Sequence, residues 1–75
     1  MEQILDYSEI GQWLKQERRK QKLTQLDVAA YSGYSGAYIS RIEKGIDLPR
    51  LQVTEDLLNA LGYRLILGVE KYERD

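Results

Sequence analysis

The sequence predicts an all-α domain of four helices that ends in one β-strand. Three observations carry this expectation. Apolar residues recur at helical spacing in four separate segments, hydroxyl caps and glycine stops bracket those segments, and the last stretch switches to an alternation of period two. The 75 residues are enough for a single domain, 1–75, with a 9–62 core and a 63–70 strand. A core this small is marginal, so it needs good helix packing or stability borrowed from a partner subunit.

Ser8 is placed to cap a helix that starts at Glu9 and runs to about Lys22, with Ile10, Trp13 and Leu14 at helical spacing. Gly11 is expected to weaken its first turn slightly. Thr24 then opens a second helix, Gln25 to Ser32, and Asp27 three residues on can close a capping box. Val28 and Ala29 point inward, and Gly33 is the stop. Ser35 caps a third helix, Gly36 to Lys44, whose inner face is Ile39 and Ile42 and which Gly45 ends. Leu48-Pro49-Arg50 reads as a loop, because the residue before proline leaves the α region. The fourth helix spans roughly Leu51 to Leu61, carries Leu57, Leu58 and Leu61, and stops at Gly62. Tyr63, Leu65, Leu67 and Val69 then alternate with Arg64, Ile66, Gly68 and Glu70, a strand pattern.

Composition narrows the function. The chain has no Cys and no His, which removes disulfides, thiol nucleophiles, imidazole bases and the usual zinc or iron ligand sets. It has no Gly-rich phosphate loop. Asp27, Glu43, Asp47, Glu55 and Asp56 form no credible acid–base pair and read as cap and surface residues. An enzyme is therefore not expected, nor a cofactor or metal. The apolar stretch Leu65 to Val69 is far too short to span a bilayer, and the acidic start Met1 to Asp6 lacks the basic region of a secretory signal. The formal net charge is −1, unusual for a nucleic-acid binder, but its distribution is uneven. Lys15, Arg18, Arg19, Lys20 and Lys22, then Arg41, Lys44 and Arg50, form a basic centre. Glu2, Asp6 and Glu9 lie before it, and Glu70, Glu73 and Asp75 after it.

The informative segment is Thr24 to Gly45, two short capped helices around a turn at Gly33. The first is too short to be stable alone and must pack on the second at the steep angle of a helix-turn-helix. The outer face of the second is then small and polar: Gly36, Ala37, Ser40, Arg41 and Lys44. Small residues at its start let the helix enter a major groove, its N-terminus attracts phosphate, and Arg41 can reach the O6/N7 edge of guanine. Tyr31 and Tyr38 are open to phosphate hydrogen bonds, whereas Tyr34 is expected to pack.

At these residues the chain resembles the Cro/C1-type (XRE) helix-turn-helix family of bacterial and phage repressors. Arg18, Leu23-Thr24-Gln25, Ala29, Gly33, Ser35, Ile39-Ser40-Arg41-Ile42-Glu43-Lys44-Gly45, Pro49 and Ala60-Leu61-Gly62 carry the resemblance, which covers about Ile10 to Gly62. It implies a lambda-repressor-like fold and DNA-binding roles for Gln25, Ser35, Gly36, Ala37, Ser40, Arg41 and Arg50, and the reading of the helix itself adds Tyr38 and Lys44 to the expected DNA-binding set. Within that set Gln25 matches a phosphate clamp, Ser35, Gly36, Ala37, Ser40 and Arg41 match base-facing positions, and Arg50 matches a backbone or minor-groove contact. Arg18 and Glu43 match a structural pair between the first and third helices. The chain departs from the pattern at Gly36, where Gln is common, at Tyr34, where Val is typical, and at Val53-Thr54, whose order is reversed. Losing Gln at Gly36 removes a bidentate reader of adenine and shifts weight to Arg41, Ser40 and DNA shape.

The last strand has no long partner in the chain, the alternative being the very short Ile4-Leu5 segment. Pairing with the same strand of a second copy about a twofold axis resolves this, with Tyr63, Leu65, Ile66, Leu67 and Val69 as dimerisation residues. The run from Leu57 to Val69 is also similar, more loosely, to HipB-type antitoxins, whose partners are kinase-like toxins. The expected function is a cytoplasmic, nucleoid-associated homodimeric repressor of double-stranded DNA on a palindromic operator, autoregulatory, with a toxin-neutralising antitoxin as the alternative.

Overall fold

A computed structural model of the chain describes residues 2–74; Met1, and Asp75 at the end of the acidic tail, lie outside them. The chain enters its first helix through a 3₁₀ turn at Tyr7–Glu9. Asp6, rather than Ser8, is the cap: its Oδ1 accepts from the Ser8 amide at 3.0 Å and the Ser8 hydroxyl at 2.7 Å. Helix α1 (Ile10–Lys20) follows, and its last turn carries Arg18, Arg19 and Lys20, which suit the negative end of the helix dipole. It stops two residues short of the predicted end because Lys22 takes a left-handed conformation, φ 59°. The Gln21 side chain there donates to the Leu61 carbonyl at 2.8 Å, tying the end of α1 to the end of α4.

Helix α2 (Gln25–Ser32) has the predicted bounds and the predicted capping box. The Asp27 amide donates to Thr24 Oγ1 at 3.0 Å and the Thr24 amide donates to Asp27 Oδ2 at 2.8 Å. Gly33 turns the chain at φ 85°, a conformation that costs other residues more. Helix α3 (Gly36–Glu43) starts on its Ser35 cap, and α4 (Leu51–Ala60) starts where the sequence placed it despite the Val53-Thr54 reversal. Thr54 is 1% exposed, and its hydroxyl is satisfied by Tyr7 Oη at 2.7 Å. The same phenol donates to the Pro49 carbonyl, so Tyr7 fastens the α3–α4 loop and α4 to the N-terminal turn.

The core is Ile10 and Leu14 of α1, Val28 of α2, Ile39 and Ile42 of α3, and Leu57, Leu58 and Leu61 at the end of α4. Helix α3 packs on both α1 and α2, and α4 packs on α2. Gly11 is what lets α1 and α3 meet. A Cβ built on it would lie 1.9 Å from the Ile42 carbonyl oxygen, so this glycine is a packing requirement and not merely a weak helix former.

The predicted strand over 63–70 is not present: among the described residues there is no strand. Residues 63–74 have no regular structure, and Ile4-Leu5 does not pair with them. The physical reason is that ladder hydrogen bonds need a second backbone, and this chain alone supplies none. The alternation itself survives in part. Tyr63 and Leu65 are half-buried against the core while Arg64 and Ile66 face solvent. Leu67, expected on the same face as Leu65, is 69% exposed, and Val69 is fully exposed. Tyr63 packs edge-on against Trp13, ring centres 5.1 Å apart, and its phenol donates to Glu17. No helix among the described residues is long and apolar enough to cross a membrane.

Candidate nucleic-acid interface

Helix α3, packed against α2, presents one side outward. Its inner side is Ile39, Ile42 and Glu43, all buried. Ala37, Arg41 and Lys44 follow one another at helical i, i+4, i+7 spacing on the opposite side, and all three are exposed. Ser35 is also exposed at the helix start, where its hydroxyl accepts from the Tyr38 amide at 3.1 Å. Gly36, Tyr38 and Ser40 are half-buried at the margins of this row. The Tyr38 ring leans on Tyr34, centres 5.9 Å apart, and Tyr34 packs as expected, its hydroxyl donating to Asp56 Oδ2 at 2.6 Å. That bond makes the Tyr34 phenol harder to ionise than usual. Tyr31 is 66% exposed.

The first turns of α3 and α4 carry no acidic residues. The α4 N-cap is Arg50, exposed and without a side-chain cap, so the first amides of α4 remain available to an anion. The N-terminus of α2 differs. Asp27 sits in its first turn, and hydrogen bonds from the Thr24 amide and hydroxyl hold its carboxyl below the usual range.

Gln25, the first residue of α2, is half-buried and donates through Nε2 to Glu43 Oε1 at 3.0 Å. Glu43 also accepts from Arg18, Nε to Oε2 at 2.7 Å and Nη2 to Oε1 at 2.9 Å, while Arg18 Nη1 donates to the Leu23 carbonyl at 2.7 Å. The Arg18–Glu43 pair is thus a buried, bidentate link between α1 and α3 that also orients the first side chain of α2. The Glu43 hydrogen bonds hold the Arg18 guanidinium more firmly protonated than usual, against the cost of burial. Of the basic run in α1, Arg18 is therefore structural. Arg19, Lys20 and Lys22 are exposed, and Lys20 lies 3.9 Å from Glu17 one turn back.

One contact was not visible in the sequence. Arg41 Nε donates to Asp47 Oδ2 at 2.8 Å and Nη2 to Oδ1 at 3.3 Å. Hydrogen bonding to Asp47 raises the Arg41 pKa, and the same bonds hold the Asp47 carboxyl below its ordinary range. Both side chains remain open to solvent. Of the other acids weighed in the sequence, Asp27 bonds with Thr24, Glu43 with Arg18, Asp56 with Tyr34 and Gln52, and Glu55 with the same Gln52.

A family model described as helix-turn-helix matches residues 14–67, which run from within α1 through α4 into the start of the tail. A protein of Sinorhizobium fredii (strain NBRC 101917 / NGR234), described as an uncharacterized HTH-type transcriptional regulator, is 36% identical over 62 residues. Those residues are 83% of this chain and 32% of that protein, so the chain spans about a third of its relative's length.

Proposed function

The chain belongs to the helix-turn-helix family, and from that premise we propose that it is a DNA-binding transcriptional regulator whose α3 enters the major groove. The observation that carries this reading is the outer row of α3. Ala37, Arg41 and Lys44 are exposed together on a helix whose opposite side is the protein core. The small start of the row permits close approach, Arg41 supplies a base-reading fork, and Lys44 supplies charge toward phosphate. Gln25 and Arg50 flank it as phosphate contacts, and the uncapped start of α4 adds amide donors. The S. fredii relative's description as a transcriptional regulator supports the same reading.

The operating form is a homodimer that represses from a palindromic operator, its own promoter included. The exposed apolar tail supports this, since Ile66, Leu67 and Val69 are left uncovered among the described residues. Pairing of residues 63–70 across a twofold axis would cover them and set two copies of α3 about one helical turn, ~34 Å, apart.

Titration of a labelled random-sequence duplex at increasing salt tests the DNA reading. Affinity should fall linearly on a log–log plot, with a slope of about −0.9 per phosphate contacted, despite the net negative charge. An affinity indifferent to salt, or no binding at low salt, would contradict it. Recovery of a kinase-like protein bound stably to the tail, with no DNA binding, would favour the antitoxin alternative.

A further inference from the structure

We propose that Asp47 is a positioning residue for base recognition, holding one edge of the Arg41 guanidinium so that the other edge is presented to guanine. The inference rests on the reading of Arg41 as a base contact and adds a residue to it. A guanidinium has two edges that can make paired hydrogen bonds. Asp47 occupies the side-on edge, Nε at 2.8 Å and Nη2 at 3.3 Å. Among the described residues nothing engages Nη1, so the end-on edge, Nη1 with the second hydrogen of Nη2, remains open. That edge has the spacing needed for O6 and N7 of guanine.

The carboxylate is delivered by the backbone and not by the ion pair. Gly45 takes φ 77°, and the amides of Ile46 and Asp47 fold back onto the Arg41 carbonyl at 3.0 and 3.3 Å. The loop therefore returns Asp47 to Arg41 whatever its side chain does. An isolated, exposed Arg side chain samples many rotamers, and fixing it on DNA costs affinity for right and wrong bases alike. Ordering it beforehand removes that cost and narrows the directions in which the fork can bond. The same carboxylate brings a negative charge close to the expected phosphate backbone, which opposes non-specific binding. Both effects favour discrimination: without Asp47, preference for the right base should fall while binding to random duplex holds or rises.

The experiment uses the full chain and a duplex obtained by wild-type selection from a randomised DNA library, with each base pair then varied singly. Wild type, Arg41→Ala, Asp47→Ala and Asp47→Asn are compared on these duplexes and on random-sequence duplex, alongside thermal melting. Wild type should prefer G·C at one position by roughly tenfold or more, the range of a bidentate Arg–guanine contact. Arg41→Ala should abolish that preference. Asp47→Ala should reduce it to about threefold or less while binding to random duplex holds or rises, and Asp47→Asn should fall between. Preference unchanged in Asp47→Ala but lost in Arg41→Ala overturns the role of Asp47 and leaves base reading by Arg41 intact. Tighter binding to all duplexes with the preference preserved makes Asp47 a mere competitor and also overturns it. A joint fall in melting temperature and in both affinities for the two Asp47 variants marks a structural role and does the same. No position whose preference depends on Arg41 overturns the base-contact reading itself.

Discussion

Replacing Gly11 with alanine should destabilise the fold severely, although alanine is the better helix former. In an isolated helix the change would gain about 0.5–1 kcal/mol. In the folded chain the new Cβ would stand 1.9 Å from the Ile42 carbonyl oxygen and 2.9 Å from its carbon, whereas ordinary contact begins near 3.4 Å. Helices α1 and α3 would have to part by about 1.5 Å, and the obstacle is backbone, which cannot rotate away. Parting them also opens the packing of Ile10 and Leu14 against Ile39 and Ile42 and stretches the Arg18–Glu43 link. Overpacking of this kind costs about 1–3 kcal/mol and more when the backbone must move, so a net loss of roughly 3 kcal/mol is expected. For a domain of this size that corresponds to a melting temperature lower by about 12–24 °C. Thermal unfolding followed by far-ultraviolet circular dichroism measures it directly. Gly36→Ala is the internal comparison, since its Cβ would meet Leu26 at an ordinary 3.6 Å and should leave stability equal or slightly higher. A Gly11→Ala protein that melts within a degree or two of wild type would refute the close approach of α1 and α3.

Three further outcomes follow from contacts already described. Tyr7→Phe removes the partner of the buried Thr54 hydroxyl and of the Pro49 carbonyl, and should cost about 1–3 kcal/mol in denaturant unfolding; an unchanged midpoint would mean that neither group depends on Tyr7. Asp6, Asp27 and Asp47 all have carboxyls held below the ordinary value of 3.8 in the fold. A depressed folded pKa stabilises above the unfolded pKa and loses that contribution as pH falls through the folded one, so stability should be level near neutrality and decline below about pH 4. Asp27→Asn should flatten part of that decline, and melts with the same acid dependence as wild type would argue against the capping box. Leu67→Asp with Val69→Asp, both at exposed positions, should leave the melting of the monomer alone yet abolish dimers in sedimentation equilibrium; a surviving dimer would remove the tail from the interface.

What the sequence disclosed was chiefly what is local. Thr24 with Asp27, Ser35, and the glycines at 33, 45 and 62 set helix ends through bonds to near neighbours, and α2 has the bounds they predict. The inward residues were equally legible because helical spacing maps directly onto one face: Ile39 and Ile42, then Leu57, Leu58 and Leu61. Less was legible where distant segments decide. Nothing in the type of Lys22 marks it for a left-handed conformation, so the helical pattern runs two residues past the end of α1. Gly11 read as a defect because its reason, the Ile42 carbonyl, lies 31 positions away in the chain; an unexplained glycine inside a helical pattern was the available signal. Asp47 lies six residues beyond Arg41, outside helical pairing distance, and meets it through a loop reversal at Gly45. In the tail the alternation was visible, but its pairing depends on a second chain. The expected outer face of α3 divides into an open row, Ala37, Arg41 and Lys44, and half-buried margins at Gly36 and Ser40.

The most direct measurement of where this protein meets DNA is the map of backbone amide shifts when a duplex is added to the isotope-labelled chain. The largest changes should fall on Gln25, on Ser35 to Lys44, and on Arg50 with the first turn of α4, while Arg19, Lys20 and the tail move little at the DNA contact itself. Changes centred on the basic end of α1, with α3 silent, would contradict the assignment of α3 to the groove.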